Sequence, residues 1–219
     1  MIEGVLFDMD GLLVDTEPIY HNANTEAIAS MGYEPDDAYL RQCMGLSVQA
    51  WGEALYAHYG KDFPLDEMRR RMDKIRTRVF EEDGIQSMKG AKELLDYLDE
   101  KGIPKAVASS TPKEKAQYIL GRAGLGGRFE VEVYGDMVKR SKPNPDIFLL
   151  AASLLGKEPE KCMGLEDSQN GIRACRAANL FTVWVPDLTP VTPELLTLAD
   201  RKVDSLLDVI TLLEELNRA

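Results

Sequence analysis

A pair of aspartates separated by one residue is the first sign of chemistry in this sequence. The apolar run Gly4–Phe7 ends abruptly in Asp8, and Asp10 and Gly11 follow. Two carboxylates at this spacing suit acid–base catalysis or the binding of a cation that prefers oxygen ligands. An ordinary turn, in which aspartate hydrogen-bonds its own backbone, explains the pair equally well when it is considered alone. A calcium-binding EF-hand loop is excluded, because apolar Leu12 stands where that loop needs a polar ligand.

Three further polar clusters each follow an apolar run later in the chain. The clusters are Ser109-Ser110-Thr111, Ser141-Lys142-Pro143-Asn144 and Glu166-Asp167-Ser168. A protein that handles phosphate esters needs a divalent cation, a lysine or backbone N–H groups to offset the charge of its substrate. The carboxylates and the lysine of these clusters are candidates for such roles.

Each cluster also has a simpler structural interpretation. Thr111 precedes a proline and is predicted to cap a helix N-terminus, which leaves Ser109 and Ser110 unexplained. Asn144 could begin a helix in the same way, whereas Lys142 alone would be a solvated surface charge. In the last cluster the aspartate or the serine could cap the next helix. We favour a shared site, because the separate explanations require four coincidences at four predicted strand ends.

Elsewhere in the chain, short apolar runs alternate with amphipathic stretches of about 10–15 residues. The predicted strands are Gly4–Phe7, Lys105–Ser109, Val131–Tyr134, Cys162–Leu165 and Thr182–Val185, and helices are predicted at about 91–101, 112–124, 145–155, 168–178 and 206–216. This alternation is typical of right-handed crossovers that build a parallel sheet covered on both faces. Because ligands bind beyond the carboxyl ends of parallel strands, the four clusters are predicted to share that edge.

The segment from Glu17 to about Glu82 has a different character. It contains amphipathic helix patterns and no strand signal interrupts it. We therefore predict a Rossmann-like α/β core formed by residues 1–16 and 87–219. An all-helical domain, residues 17–86, is predicted to be inserted into it and joined to it by two chain crossings.

Composition limits the function classes. The chain has 219 residues, 44% of them hydrophobic, which is enough for one α/β domain with a modest insertion. With 26 Lys and Arg against 37 Asp and Glu the formal charge is -11, so nucleic acid is not an expected partner. The sequence has neither a signal peptide nor an apolar run long enough to span a membrane, and its three cysteines have no C-x-x-C spacing. We expect a cytoplasmic monomer that does not bind membranes.

The first motif is specific enough to suggest a family. The run Phe-Asp-Met-Asp-Gly-Leu-Leu-Val-Asp-Thr-Glu-Pro at 7–18 is followed, in order, by the hydroxyl, Lys-Pro and Glu-Asp motifs. In these features the chain resembles the haloacid dehalogenase superfamily of phosphotransferases, in its β-phosphoglucomutase-like phosphatase branch. The resemblance covers essentially the whole chain. It implies a Rossmann-like core with a helical cap inserted after the first strand, in agreement with the pattern described above.

The resemblance also implies catalytic roles for the two aspartates. Asp8 would be the nucleophile, which attacks phosphorus in line and forms an aspartyl-phosphate. Asp10 would be the general acid and base, which protonates the leaving oxygen and then takes a proton from the attacking water. A second carboxyl group two residues away can do this without competing for phosphorus.

A magnesium ion is the cofactor that the resemblance implies. Its ligands would be the Asp8 side chain, the Asp10 carbonyl and Asp167, with Glu166 as an outer or additional ligand. Lys142 would neutralise phosphoryl charge and restrain the two like-charged carboxylates.

Binding of the substrate, a small phosphorylated metabolite, is assigned in the same way. Ser109 and nearby backbone N–H groups would bind the phosphoryl oxygens. The further candidate contacts are Gly11, Ser110, Asn144, Glu17 and His21. His21 either faces the substrate or packs against the helices of its own domain, and the sequence leaves both interpretations open.

The cap motifs distinguish two reactions. Sugar phosphomutases of this branch resemble one another in a hinge histidine and in an arginine just after a Gly-x-Ser in the cap. Here the cap motif reads Gly45-Leu46-Ser47-Val48, and valine cannot bind a second phosphate. Another cation, Lys74 or Arg76, could substitute for the arginine.

We therefore expect a magnesium-dependent phosphatase that hydrolyses small phosphomonoesters, such as sugar phosphates, through an aspartyl-phosphate intermediate. A β-phosphoglucomutase-type phosphomutase is the alternative. A non-catalytic module that binds phosphorylated metabolites is a third possibility, which the presence of both Asp8 and Asp10 disfavours.

Overall fold

The computed structural model describes residues 1–43, 46, 48–187 and 192–218, with the side chain at position 48 left undescribed. Within these residues the chain forms two compact units. One unit comprises residues 1–15 and 86–219, and the other comprises residues 16–85. The first contains the sheet, and the described residues of the second form helices and their connections.

The first unit is built on a six-stranded sheet. Its strands are β1 (Gly4–Phe7), β2 (Lys105–Ser109), β3 (Val131–Tyr134), β4 (Cys162–Glu166), β5 (Phe181–Trp184) and β6 (Arg201–Lys202). Their order is β3-β2-β1-β4-β5-β6, and every pair is parallel. The predicted parallel α/β architecture is therefore confirmed. Since β1 pairs with β2 on one side and β4 on the other, its carboxyl end lies in the middle of the sheet edge.

Helices account for most of the remaining described chain. The helical unit contains α1 (Glu17–Ser30), α2 (Asp37–Gln42), α3 (Val48–Tyr59) and α4 (Leu65–Glu82), and the first unit contains α5 (Ala91–Lys101), α6 (Lys113–Arg122), α7 (Asp146–Leu154), α8 (Gln169–Ala177), α9 (Pro193–Leu198) and α10 (Leu206–Arg218). Over the described ranges, none of these helices combines the length and the apolar character needed to cross a membrane.

The sheet core explains why the strand sequences are continuous apolar runs. Every residue of β1, β2 and β4 is buried, as expected for parallel strands covered on both faces. Leu6 and Val133 on one face pack with Phe148 of α7 and Ala174 of α8 in a single apolar cluster. Burying a side chain of the size of Leu or Phe stabilises the fold by about 1.5–3 kcal/mol.

Some boundaries differ from the predicted ones. Pro112 was predicted to be the first residue of α6, but it is extended, with φ -59° and ψ 149°, and the helix begins at Lys113. Neither β6 nor α9 was predicted. The strand β6 is only two exposed residues long, and its backbone pairing with Val183 and Trp184 of β5, not an apolar pattern, defines it.

The helical unit has a core of its own. Helices α1 and α4 pack along one another, and α2 and α3 add to the same cluster. Its buried members include Ile28, Leu40, Leu55 and Met68. The amphipathic pattern of the sequence thus corresponds to a real apolar interior.

Candidate active site

The first motif forms a tight loop at the end of β1. The Asp8 amide donates to the Leu165 carbonyl at 3.0 Å, so the residue continues the pairing of β1 with β4. Beyond it the Met9 carbonyl accepts hydrogen bonds from three later amides of the loop, and the Gly11 amide donates to the Val14 carbonyl at 2.9 Å. Gly11 has φ 79°, a left-handed conformation that favours glycine. The loop holds Asp8 and Asp10 at the carboxyl edge of the sheet.

Lys142 connects the first motif to the last. Its side chain is buried, and Nζ contacts Asp8 Oδ1 and lies 2.6 Å from Glu166 Oε1. The ammonium also lies 4.8 Å from the centre of the Phe148 ring. The alternative that Lys142 is a solvated surface charge is wrong, because 7% of the residue is exposed and two carboxylates bind its head group.

Negative charge is concentrated around this lysine. Burial raises the pKa of Asp8 to about 8; Lys142 opposes that shift, and the nearby carboxylates of Glu166 and Asp10 add to it. For Lys142, burial lowers the pKa, but attraction by Asp8 and Glu166 outweighs burial and raises it, so the amine stays protonated. One lysine therefore faces more carboxylate charge than it can balance.

The same carboxylates fit a metal ion. Asp8, Glu166 and Asp167 are all buried, and each offers an oxygen atom within 4.8 Å of those of the other two. An all-oxygen donor set of this kind suits a hard cation such as Mg²⁺. A divalent cation among these carboxylates would also offset both the burial and the carboxylate repulsion that raise the pKa of Asp8.

Glu166 differs from the other two carboxylates in its existing contacts. Its Oε2 accepts hydrogen bonds from the Ser168 amide at 3.1 Å and from the Ser168 hydroxyl at 3.0 Å, while Oε1 accepts from Lys142. Ser168 also caps α8 by accepting a hydrogen bond from the Gly171 amide, which confirms one of the predicted capping alternatives. These bonds make Glu166 a support for Lys142 as well as a metal-ligand candidate.

The hydroxyl cluster after β2 approaches the second aspartate. Thr111 Oγ1 donates to Asp10 Oδ2 at 2.8 Å, and the Thr111 amide donates to Ser109 Oγ at 3.0 Å. The prediction that Thr111 caps α6 is wrong, since Pro112 occupies the cap position and the amide of Lys113, the first residue of the helix, donates to Asp136 Oδ1 at 3.1 Å. The hydroxyl of Thr111 is directed to Asp10 instead. Sequence reasoning missed this role because a Thr-Pro pair is the usual signature of a helix start.

Ser109 and Ser110 lie on the same loop in different environments. Ser109 is buried and Ser110 is exposed. Backbone packing holds this loop closely, because a Cβ placed on Gly135 would overlap the Ser110 carbonyl. The Gly135 amide in turn donates to the Thr111 carbonyl at 3.2 Å. Ser109 and Ser110 thus lie on the loop whose Thr111 contacts Asp10.

The other predicted substrate-binding residues are Asn144, Glu17 and His21. Asn144 Nδ2 donates to the Ser141 carbonyl at 3.0 Å and so closes its own loop. Glu17 lies in the first turn of α1. His21 is buried in the helical unit, where Nε2 lies 2.6 Å from Asp37 Oδ1.

The cap motif itself is only partly described. Gly45, Ser47 and the side chain of Val48 lie outside the described residues. Of the two alternative cap cations, Lys74 is exposed, and Arg76 pairs with Asp73 of the helical unit. The guanidinium of Arg76 also lies over the Tyr20 ring at 4.9 Å.

Comparison with known proteins agrees with this geometry. Residues 5–185 match the family model of the haloacid dehalogenase-like hydrolases. The chain is 34% identical over 183 residues to a phosphorylated carbohydrates phosphatase of Thermotoga maritima, covering 84% of each chain. It is 28% identical over 211 residues to hexitol phosphatase B of Escherichia coli K12, covering 95% of this chain and 94% of that protein.

Among solved structures, the β-phosphoglucomutase of Clostridium difficile superimposes with a TM-score of 0.77 at 25% identity, covering 95% of this chain and 93% of that one. The match extends over both the sheet and the helical segment of the sequence. The chain therefore belongs to the haloacid dehalogenase-like hydrolase family, in its β-phosphoglucomutase-like branch, and is a phosphoric monoester hydrolase.

Proposed function

We propose that this enzyme is a magnesium-dependent phosphatase that hydrolyses small sugar phosphates or similar metabolites through a phosphorylated Asp8. The main support is the buried group in which Lys142 binds Asp8 and Glu166, with Asp167 close to both carboxylates. The names of two relatives, a phosphorylated carbohydrates phosphatase and a hexitol phosphatase, favour a polyol or sugar leaving group.

The charge environment of Asp8 supports its proposed role as the nucleophile. Asp8 and Asp167 would hold Mg²⁺ with the Asp10 carbonyl, and Glu166 would act from the outer shell or as a further ligand. The bound ion would stabilise negative charge on the phosphoryl oxygens and on the attacking carboxylate. Lys142 holds Asp8 Oδ1 and neutralises further charge as phosphorus approaches.

Asp10 would transfer the protons. It donates a proton to the leaving alkoxide as the bond between phosphorus and that oxygen breaks, and Asp8 carries the phosphoryl group. In the second step the ionised Asp10 takes a proton from water, whose oxygen attacks phosphorus and releases Asp8 and inorganic phosphate. The hydrogen bond from Thr111 fixes one oxygen of Asp10 and so orients the group.

We propose two sets of substrate contacts, one with the phosphoryl group and one with the leaving group. Gly11 lies on the loop that carries Asp8 and Asp10, whereas Ser109 and Ser110 lie at the end of β2, on the loop whose Thr111 binds Asp10. We assign the phosphoryl oxygens to these two serines and to the Gly11 backbone. Asn144, and Glu17 and His21 of the helical unit, are proposed to contact the leaving group. The helical unit is proposed to act as a cap that excludes water during phosphoryl transfer.

Some proposals rest on composition. The acidic surface argues against nucleic acid, and we propose action as a monomer on a soluble cytoplasmic metabolite.

The test is a phosphate-release assay with purified protein, Mg²⁺ and a panel of sugar, polyol and nucleotide monophosphates. We expect inorganic phosphate from a subset of sugar or polyol phosphates, and no release without a divalent cation. Absence of release across the panel would contradict the proposal. β-Glucose 1-phosphate supplied with a trace of bisphosphate separates the mutase alternative, because a mutase would form the 6-phosphate with little free phosphate.

A further inference from the structure

The first turn of α8 surrounds the carboxylate of Glu166. Glu166 is the last residue of β4, and its side chain turns back over the start of the helix. The Ser168 amide and hydroxyl both donate to Glu166 Oε2. The Ser168 hydroxyl also accepts a hydrogen bond from the Gly171 amide at 3.1 Å. The helix cap and the carboxylate support are therefore the same hydroxyl group.

Gly171 provides the space in which this carboxylate lies. A Cβ atom built in ideal geometry on Gly171 would lie less than 3.0 Å from Cδ, Oε1 and Oε2 of Glu166. Real Cβ atoms essentially never approach another heavy atom this closely. The two oxygens involved are those that bind Ser168 and Lys142. No residue with a side chain fits here while Glu166 keeps these bonds.

Glycine is otherwise unfavourable at this position. Within a helix it costs conformational entropy and lowers helix stability relative to alanine. Gly171 lies inside α8, and its φ is not in the left-handed region that would favour glycine. Gly121 of α6 provides a comparison, since a Cβ there would meet no atom within 4 Å. The close approach of Glu166 is thus the feature that alanine at 171 could not accommodate.

We propose that Gly171 is a positioning residue for catalysis: its missing side chain lets Glu166 hold Lys142 against Asp8. It acts through Glu166 and does not touch the substrate. Glu166 has no exposed surface, so a displaced carboxylate cannot simply swing into solvent and must give up Ser168 or Lys142. Lys142 then loses one of its two carboxylate partners, and its placement beside Asp8 is no longer fixed.

The effect on turnover rests on the proposed function, whereas the steric relationship does not. The experiment is a double-mutant cycle with Gly171→Ala and Glu166→Asp, and Gly121→Ala serves as the control. Aspartate shortens the side chain by one methylene group and withdraws the carboxylate by about 1.5 Å. The cycle is read by phosphate release, reported as kcat and KM, and by the thermal unfolding midpoint of metal-free protein.

We expect Gly171→Ala alone to lower kcat by at least about tenfold, as loss of an outer support does, and to lower the midpoint by on the order of 5 °C. Gly121→Ala should keep kcat within about twofold, since substitutions away from such contacts have small effects. In the Glu166→Asp background, Gly171→Ala should cost less than about threefold in kcat and little in the midpoint, because neighbouring sites couple.

Equal losses in the two backgrounds would overturn the proposal, as would wild-type values for Gly171→Ala alone. If Gly171→Ala does not fold, a folded double variant supports the proposal. A double variant that fails to fold, while Glu166→Asp alone folds, contradicts it. If the wild-type enzyme releases no phosphate from any substrate, that result counts against the proposed function alone. The unfolding midpoints of the cycle then still decide whether Gly171 provides the space for Glu166.

Discussion

Glu166 Oε1 lies 2.6 Å from Lys142 Nζ, although the two residues are 24 positions apart, Lys142 following β3 and Glu166 ending β4. The same ammonium contacts Asp8, which directly follows β1, the strand beside β4. One buried cation thus links two carboxylates that would repel one another. This arrangement is the basis of the first prediction.

Replacing Lys142 with methionine should impair both stability and turnover. The substitution leaves Asp8 and Glu166 buried without their cation, and breaking a buried ion pair costs about 3–5 kcal/mol. We expect a lower thermal midpoint in metal-free buffer and a large loss of kcat. Lys139→Met, at an exposed position of the same loop, is the control and should change neither. A fully active Lys142→Met enzyme would contradict the assigned role.

Asp8→Asn should stop turnover and change how stability depends on pH. Burial raises the pKa of Asp8 to about 8 from an ordinary 3.8, so the folded state holds this proton more tightly than the unfolded state. That contribution to stability is present at low pH and is lost as pH rises towards about 8. Without metal, Asp8→Asn should therefore raise the midpoint more at about pH 8 than at about pH 5.

Asp146→Asn is the control of opposite sign for that experiment. A hydrogen bond from Arg140 lowers the pKa of Asp146, so its carboxylate stabilises the fold above its unfolded pKa and loses that effect in acid. Because Arg140 is exposed and Asp146 is partly exposed to solvent, the change should be small. Equal pH dependence for wild type and Asp8→Asn would show that Asp8 does not titrate as described.

Thr111→Val should slow catalysis by weakening the orientation of Asp10. A hydrogen bond to a charged group contributes about 1.5–3 kcal/mol, which corresponds to about a 10–100-fold loss of kcat. Thr111→Ser retains a hydroxyl and should recover most of the activity. The measurement is kcat and KM for each variant. A rise in KM with unchanged kcat would assign Thr111 to substrate binding instead.

Magnesium binding should be visible without turnover. The buried Trp184 indole donates to the Asp167 carbonyl at 3.0 Å, so a ligand on Asp167 should alter its fluorescence. In a Trp51→Phe background, which leaves Trp184 as the sole tryptophan, Mg²⁺ titration should give a saturable change. Asp167→Asn should raise the midpoint concentration at least about tenfold. An identical titration curve for that variant would exclude Asp167 as a ligand.

His21 can be assigned by separating stability from substrate affinity. Its buried ring is bonded to Asp37, so His21→Ala should lower the unfolding free energy by about 1–3 kcal/mol. If the histidine only packs within the helical unit, KM should stay near the wild-type value. A large rise in KM with little loss of stability would instead support the predicted substrate contact. Asp37→Asn, which weakens the same bond from an exposed position, is the control.

The sequence alone determined the order of β1 to β5 and of the helices between β2 and β5, and it placed the ends of these strands to within one residue. Continuous apolar runs and glycine or proline boundaries depend on local backbone and burial preferences, which a short window of sequence records. The parallel sheet follows from that order, because helical crossovers return each strand in the same direction. The four polar motifs could therefore be assigned to one edge before any coordinates were known.

Only the tertiary structure decided which side chains of that edge meet. Thr111 has the sequence signature of a helix cap, yet its hydroxyl bonds Asp10, 101 positions away. Lysine is a residue type usually found at the surface, yet Lys142 is buried between two carboxylates. Gly171 leaves the space that the Glu166 carboxylate occupies. Such contacts depend on rotamers and on packing between distant segments, which no local pattern encodes.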